Sequence, residues 1–234
     1  MSNRWQIAQK AEVNHWIKNK EIILSPEYRK QIKQRAQRVE NWLKKFIEIK
    51  EDSNLLETGG GATQLIDFFE KGQKYALDPL ADIYLKEFSG VLAPEVKWTK
   101  GKNEALPYPD NFFDIIISRN VLDHVDSVDK SLSEIHRVLN KEGLFYFSLN
   151  TFSGILYLKK LIMGEKEHPV VFTPNKIKSD IRRAGFQIID SILDAPENMS
   201  HFGQLESKIF YKRALRKLLL KLKCYHFSEF ILKK

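Results

Sequence analysis

Seven consecutive residues carry the first chemical signal: Glu57-Thr58-Gly59-Gly60-Gly61-Ala62-Thr63, between the strand-like run Asn54-Leu55-Leu56 and a helical pattern from Ala62 to about Glu70. Three glycines in a row let the main chain turn sharply and let a ligand approach where Cβ atoms would otherwise stand. Two ligand chemistries compete for such a loop. A dinucleotide needs Gly-x-Gly-x-x-Gly/Ala, whose last small residue lets the helix pack on the strand. Counted from Gly59, that position is Gln64, which disfavours a nicotinamide-dependent dehydrogenase. The acid directly before the loop, Glu57, sits awkwardly beside a pyrophosphate and suits a cationic ligand. Asp78, at the end of the next strand-like run Tyr75-Ala76-Leu77, adds a carboxylate able to accept two hydroxyl protons at once.

The elements that must position these groups alternate. Strands are expected at 54–57, 75–78, 96–98, 113–118 and 143–149, separated by helices at 62–70, 82–88 and 127–139. Strands and helices in units of this length imply βαβ crossovers and a parallel sheet, with ligands bound beyond the carboxyl ends of the strands at the switch point. Further on come helices at 154–163 and 174–184 and strands at 186–193 and 207–213, the last two joined without a helix and so expected to pair antiparallel at one edge. Ahead of the sheet lie two helical patterns, 1–20 and 26–48, the second opening on Ser25-Pro26-Glu27 as an N-cap and first-turn proline. The expected fold is α/β, a doubly wound, mostly parallel, seven-stranded Rossmann-like sheet with an antiparallel edge strand and an N-terminal helical cap. Three regions follow: a cap over 1–50, a cofactor-binding core over 51–150, and acceptor-covering helices, edge strands and a basic tail over 151–234.

Composition narrows the class. The 234 residues are 43% hydrophobic and 29% charged, ordinary for a soluble globular chain. No aliphatic run exceeds three residues, as in Leu218-Leu219-Leu220, far short of the roughly 20 residues of a membrane span, and no apolar stretch near the N-terminus has the length of a signal peptide. A single cysteine, Cys224, excludes an intramolecular disulfide framework and a cysteine-rich zinc site. No metal site is expected, and a reducing cytoplasm is the expected compartment. The net charge of +8 is uneven: residues 1–50 carry 12 Lys/Arg against 5 Asp/Glu, residues 201–234 carry 9 against 2, and the stretch between carries 17 against 23. Basic flanks around an acidic centre do not describe a uniformly basic nucleic-acid binder and suggest at most a nearby anionic partner or surface.

The motif Glu57-Thr58-Gly59-Gly60-Gly61-Ala62-Thr63 resembles the first motif of the class I S-adenosylmethionine-dependent methyltransferases, acid-x-Gly-x-Gly-x-Gly, with Thr63 replacing the last glycine. The runs Glu104–Asp114, Asn120-Val121-Leu122-Asp123-His124-Val125 and Glu134–Gly143 resemble the small-molecule branch of that family, so the likeness covers about residues 52–150. The resemblance implies S-adenosylmethionine as cofactor. It places Glu57, Gly59, Gly60 and Gly61 at the loop, Asp78 on the ribose hydroxyls with Pro79 beside it, and Arg119 and Asn120 after the fourth strand. Many relatives carry an acid after the glycine that ends the third strand, for the adenine amino group. Here Gly101 is followed by Lys102 and Asn103, so the adenine contact is assigned to Asn103 and Glu104.

The implied reaction moves a methyl group to a small-molecule acceptor. If the acceptor is a hydroxyl, a base must take its proton, and histidine is the side chain best tuned to that near neutral pH. His124, after the fourth strand, and His168, in the stretch expected to cover the acceptor, are the candidates; His136 reads as structural. Trp5, Gln9, Glu12 and Trp16 share one helix face, either as core or as a lid over the site. Similar N-terminal helices in proteins encoded with surface-polysaccharide enzymes point to a sugar or nucleotide-sugar hydroxyl. Leu215, Leu218, Leu219 and Leu222 sit among basic residues over 212–223, a stripe suited to packing, to a homodimer or to peripheral membrane contact. RNA methylation and a binding-only protein remain as alternatives.

Overall fold

The computed structural model describes residues 3–163, 170–193 and 225–234. Three helices precede the sheet: α1 (Asn3–Lys18), α2 (Lys20–Leu24) and α3 (Pro26–Leu43). The start of α3 follows from its sequence, the Ser25 side chain accepting the Tyr28 amide at 3.3 Å with Pro26 in the first turn. Then come β1 (Asn54–Thr58), β2 (Gln73–Asp78), α4 (Ala81–Glu87), β3 (Lys97–Lys100), β4 (Phe113–Arg119), α5 (Val128–Val138) and β5 (Leu139–Phe152). The described elements end with α6 (Gly154–Met163), α7 (Pro174–Arg183), β6 (Gln187–Leu193) and β7 (Tyr225–Lys233).

The seven strands form one sheet in the order β3-β2-β1-β4-β5-β7-β6. The first five are parallel, and β7 runs antiparallel to both β5 and β6. Side chains that alternate along each strand supply two cores. Leu55, Ile115, Ile117, Leu144, Tyr146 and Ile231 pack with Ile32, Ala36, Val39 and Leu43 of α3. Leu56, Ile116, Phe145, Phe147, Phe230 and Leu232 pack with Leu132 and Ile135 of α5 and with Ile177 and Ile181 of α7. Strands buried on both faces read as near-continuous apolar runs, which is why Phe113-Asp114-Ile115-Ile116-Ile117 was legible.

Three expectations are corrected or moved. The helix expected at 62–70 is replaced by two short 3₁₀ turns, Gly61–Thr63 and Ile66–Phe68. An antiparallel pair does close one edge of the sheet, but the partner of the edge strand β6 is Tyr225–Lys233, which lies between β5 and β6. Its pattern is disguised by Ser228 and Glu229, both buried: Ser228 shares a hydrogen bond with Thr151 at 3.0 Å, and Glu229 accepts from Tyr146 at 2.6 Å and pairs with Arg38. The strand expected at 207–213 and the basic stretch 212–223 lie outside the described residues. Among the described residues no helix is long and apolar enough to cross a membrane.

Candidate active site

The glycine turn is built around the two residues that flank it. Gly59 (φ +66°) and Gly61 (φ +54°) occupy the left-handed region, which glycine enters without a Cβ clash. Protein atoms fill the space their missing side chains leave. A Cβ on Gly59 would lie 2.4 Å from Val121, one on Gly60 2.8 Å from the Glu57 carboxylate, and one on Gly61 2.6 Å from the Trp16 ring.

Glu57 faces the protein, and this revises the cationic-ligand role expected of it. The residue is 0% exposed. Its Oε2 accepts the amides of Leu65 and Ile66 at 2.5 and 3.1 Å, and Oε1 stands 3.2 Å from Arg119 Nε. Burial raises the carboxyl above its usual range, with Arg119 and the two amides opposing. Arg119 also donates to the Thr63 carbonyl at 2.6 Å. The captured amides are ones an α-helix over 62–70 would need for its own ladder, which accounts for the 3₁₀ turns. Glu57, Gly60, Gly61 and Arg119 therefore shape the loop from behind.

A cleft of about 570 Å³, counted to its open mouth, lies beyond the carboxyl ends of β1, β2, β3 and β4, at the switch point of the strand order. It brings together Gly59, Asp78, Pro79, Asn103, Glu104, Asn120 and His124 of the residues singled out from sequence. Leu80, Tyr84, Lys102, Val121 and Val125 also line it and were not singled out as site residues, because nothing in their types marks a site. Gln9 and Glu12 of α1 complete the wall, so the helix face read from sequence covers the cleft. The Trp5 side chain lies outside the described residues, as does His168.

Asp78 is 5% exposed, and its Oδ1 accepts the Leu80 amide at 2.8 Å. Burial pushes its carboxyl up to about 7; the Leu80 and Gly61 amides oppose this and the charge of Glu12 adds to it. Asn103 is 4% exposed, and its Nδ2 has no partner among the described residues. Buried amides are normally paired, so this donor fits a ligand that brings an acceptor. Glu104 lines the cleft while its Oε1 accepts the Asp126 and Ser127 amides at 2.7 and 3.2 Å, tying down the entry to α5. Asn120 holds φ +53°, and its amide donates to the Ser148 carbonyl at 2.8 Å. His124 is partly exposed at the cleft wall, with Nε2 3.9 Å from Asp123 Oδ1. Among the described residues no group of three His, Cys, Asp or Glu side chains is placed to hold a metal ion.

A mostly parallel sheet of this order, with a glycine turn, a carboxylate closing β2 and, beyond β3, a buried amide without a partner among the described residues, has the arrangement of a Rossmann-like domain. Residues 56–147 match the family model described as "Methyltransferase domain", in keeping with the likeness to class I S-adenosylmethionine-dependent methyltransferases read from the sequence. The chain is 30% identical over 106 residues to the uncharacterized methyltransferase YcgJ of Bacillus subtilis, a match covering 43% of this chain and 42% of that protein. Over 175 residues it is 24% identical to malonyl-[acyl-carrier protein] O-methyltransferase of Geobacter sulfurreducens, covering 67% of this chain and 63% of that one. The matches thus span less than two thirds of either curated relative. The fold is similar to that of geranyl diphosphate C-methyltransferase from Streptomyces coelicolor, with a TM-score of 0.65 at 11% identity, over 90% of this chain and 86% of the other.

Proposed function

We propose that the protein transfers a methyl group from S-adenosylmethionine to a hydroxyl of a small molecule. The carrying observation is the pair formed by Asp78 and Asn103: a buried carboxylate and a buried, unpartnered amide donor on two walls of one cleft. The ribose of an adenosyl group offers two hydroxyl donors to the first, and its adenine ring nitrogens offer an acceptor to the second. When bound, S-adenosylmethionine supplies a methyl group already activated on a sulfonium. The chain then has to align the acceptor, exclude water and take one proton.

His124 is the residue proposed to take it. The side chain lines the cleft, and its Nε2 would accept the acceptor's hydroxyl proton as the oxygen–carbon bond forms. Gly59 and Asn120 border the same space and set the floor on which the donor lies. For the acceptor, a sugar or nucleotide-sugar hydroxyl is the reading carried forward. The Geobacter relative is named as an O-methyltransferase, which supports oxygen as the acceptor atom.

The test has two stages. Calorimetry and thermal shift with S-adenosylhomocysteine, NAD and NADP come first; stabilisation by NAD alone would refute the reading. A screen of sugars and sugar nucleotides for S-adenosylhomocysteine release follows, and turnover only on an RNA would replace the small-molecule acceptor.

A further inference from the structure

The reading above uses no residue of α1, yet α1 supplies part of the cleft. Gln9, Glu12 and Trp16 recur at i, i+3 and i+7 and so share one helix face. Trp16 anchors that face. Its ring lies against Gly61, edge-on to Tyr84 at 5.3 Å and to Phe88 at 6.1 Å between centroids. Its indole N–H donates to Glu12 Oε1 at 2.7 Å, which fixes the Glu12 side chain and engages one of its two carboxylate oxygens. One turn earlier Gln9 faces the same space, its Oε1 buried with no partner among the described residues.

Asp78 lines the same cleft as Glu12, from the sheet side, and the Glu12 charge adds to the rise of the Asp78 carboxyl. Two carboxylates across a cleft repel each other unless something between them donates to both. Gln9 adds a third acceptor to the same region. A ligand that fits brings two hydrogen-bond donors on neighbouring atoms. A vicinal diol is such a ligand, and Asn103, unpartnered on the adjoining wall, marks the place for a heterocycle attached to it.

We propose that Glu12 of α1 is a cofactor-binding residue that shares the ribose diol with Asp78, so that the nucleoside itself holds α1 against the sheet. Gln9 accepts from the same ligand, and Trp16 is the positioning residue that presents the Glu12 carboxylate. The proposal rests on the adenosyl-cofactor reading and extends it from the sheet to the N-terminal helix.

Calorimetry on the full chain tests it, with S-adenosylhomocysteine and its 2′-deoxy and 3′-deoxy analogues as probes. Glu12→Gln removes the charge but keeps an amide oxygen for the Trp16 indole, so unliganded thermal stability should hold. S-adenosylhomocysteine should bind that variant about tenfold or more weakly, the scale of one hydrogen bond to a charged acceptor. At least one deoxy analogue should lose affinity for the wild type yet bind wild type and E12Q within about threefold of each other, the non-additivity expected of groups in contact. Hydrogen exchange in α1 should slow on ligand binding in the wild type and far less in E12Q. Should E12Q unfold, Glu12→Asp keeps the charge, shortens the reach and should give the same affinity loss. E12Q affinity within twofold of wild type, or purely additive losses, would overturn the proposal while leaving the cofactor reading standing. A wild type that binds no S-adenosylhomocysteine would remove the cofactor reading itself.

Discussion

Arg119 closes the glycine turn onto Glu57, its Nε standing 3.2 Å from the buried carboxylate while its terminal nitrogen reaches the Thr63 carbonyl at 2.6 Å. The pair joins the end of β4 to the end of β1 across the switch point. Both partners are almost fully shielded, Arg119 at 10% and Glu57 at 0% side-chain exposure. Removing one partner of such a pair leaves a buried charge behind, at a cost of roughly 3–5 kcal/mol. Arg119→Ala is therefore expected to lower unfolding free energy by about that amount and to weaken cofactor binding through a loosened loop. Urea denaturation and calorimetry on the same variant check both, and unchanged stability would mean the pair contributes little.

Asp78 should make both stability and ligand affinity depend on pH. Its carboxyl is raised to about 7 in the folded chain, against roughly 3.9 when unfolded. The folded state therefore holds this proton more tightly, and the stability that proton confers is complete below about pH 3.9 and is lost as pH rises through about 7. Ribose hydroxyls donate to the ionised form, so affinity for S-adenosylhomocysteine should rise over that same upper range. Glu12, Tyr84, Lys102, Glu104 and His124 also face the cleft, and so the comparison must be with Asp78→Asn, which should flatten the dependence. Asp78→Ala should weaken binding by roughly 1.5–3 kcal/mol. Titrations at pH 5.5 and 8 that give equal wild-type affinity would contradict this account.

Asn103 is expected to show the opposite balance between folding and binding. Its Nδ2 lacks a partner among the described residues, and an unsatisfied buried donor costs folding free energy. Asn103→Leu should leave the unliganded melting temperature unchanged or raise it, while weakening S-adenosylhomocysteine by about 1–3 kcal/mol. A variant that melts lower and binds normally would assign Asn103 to the scaffold.

For His124 the expected effect falls on turnover. General-base assistance contributes roughly 10²–10⁴-fold, so His124→Ala should reduce turnover at least about a hundredfold while cofactor affinity stays within about threefold, as expected where a group acts only in the transition state. Single-turnover assays on an acceptor found by screening separate the two quantities. Retained turnover would make His124 a wall residue of the cleft.

Much of this arrangement was legible because it depends on short-range pattern. The run of glycines, the carboxylate closing β2 and the amide beyond β3 each sit at a strand end that hydrophobic alternation locates, and all three border the cleft. Glu57 was misplaced because its partners, Arg119 and the amides of Leu65 and Ile66, are chosen by tertiary structure. The same capture abolished a helix that the composition of 62–70 supports. The strand β7 escaped for the mirror-image reason: Ser228 and Glu229 look like solvent-facing residues, and only Thr151, Tyr146 and Arg38 on other elements make their burial tolerable. Gln9 and Glu12 could be assigned to one helix face from spacing, but not to the roof of the cleft, since helical periodicity says nothing of what a face covers.

The place of β7 in the sheet also sets an order of assembly. Tyr225–Lys233 comes last in sequence among the described strands, yet it stands between β5 and β6, bonding to Leu144–Phe152 on one side and to Gln187–Leu193 on the other. Until it arrives, β5 lacks an outer partner and β6 a neighbour among the described strands, and open edges of this kind invite pairing with other chains. The contacts that close them on the β5 side join residues 73 to 89 positions apart, a separation that slows folding. The end of the sheet that forms the cleft, β1 to β4, needs no such wait. A nascent chain would thus present its cleft before its far edge is sealed, and a chain cut short of Tyr225 would hold a nearly complete cleft on a sheet prone to aggregate.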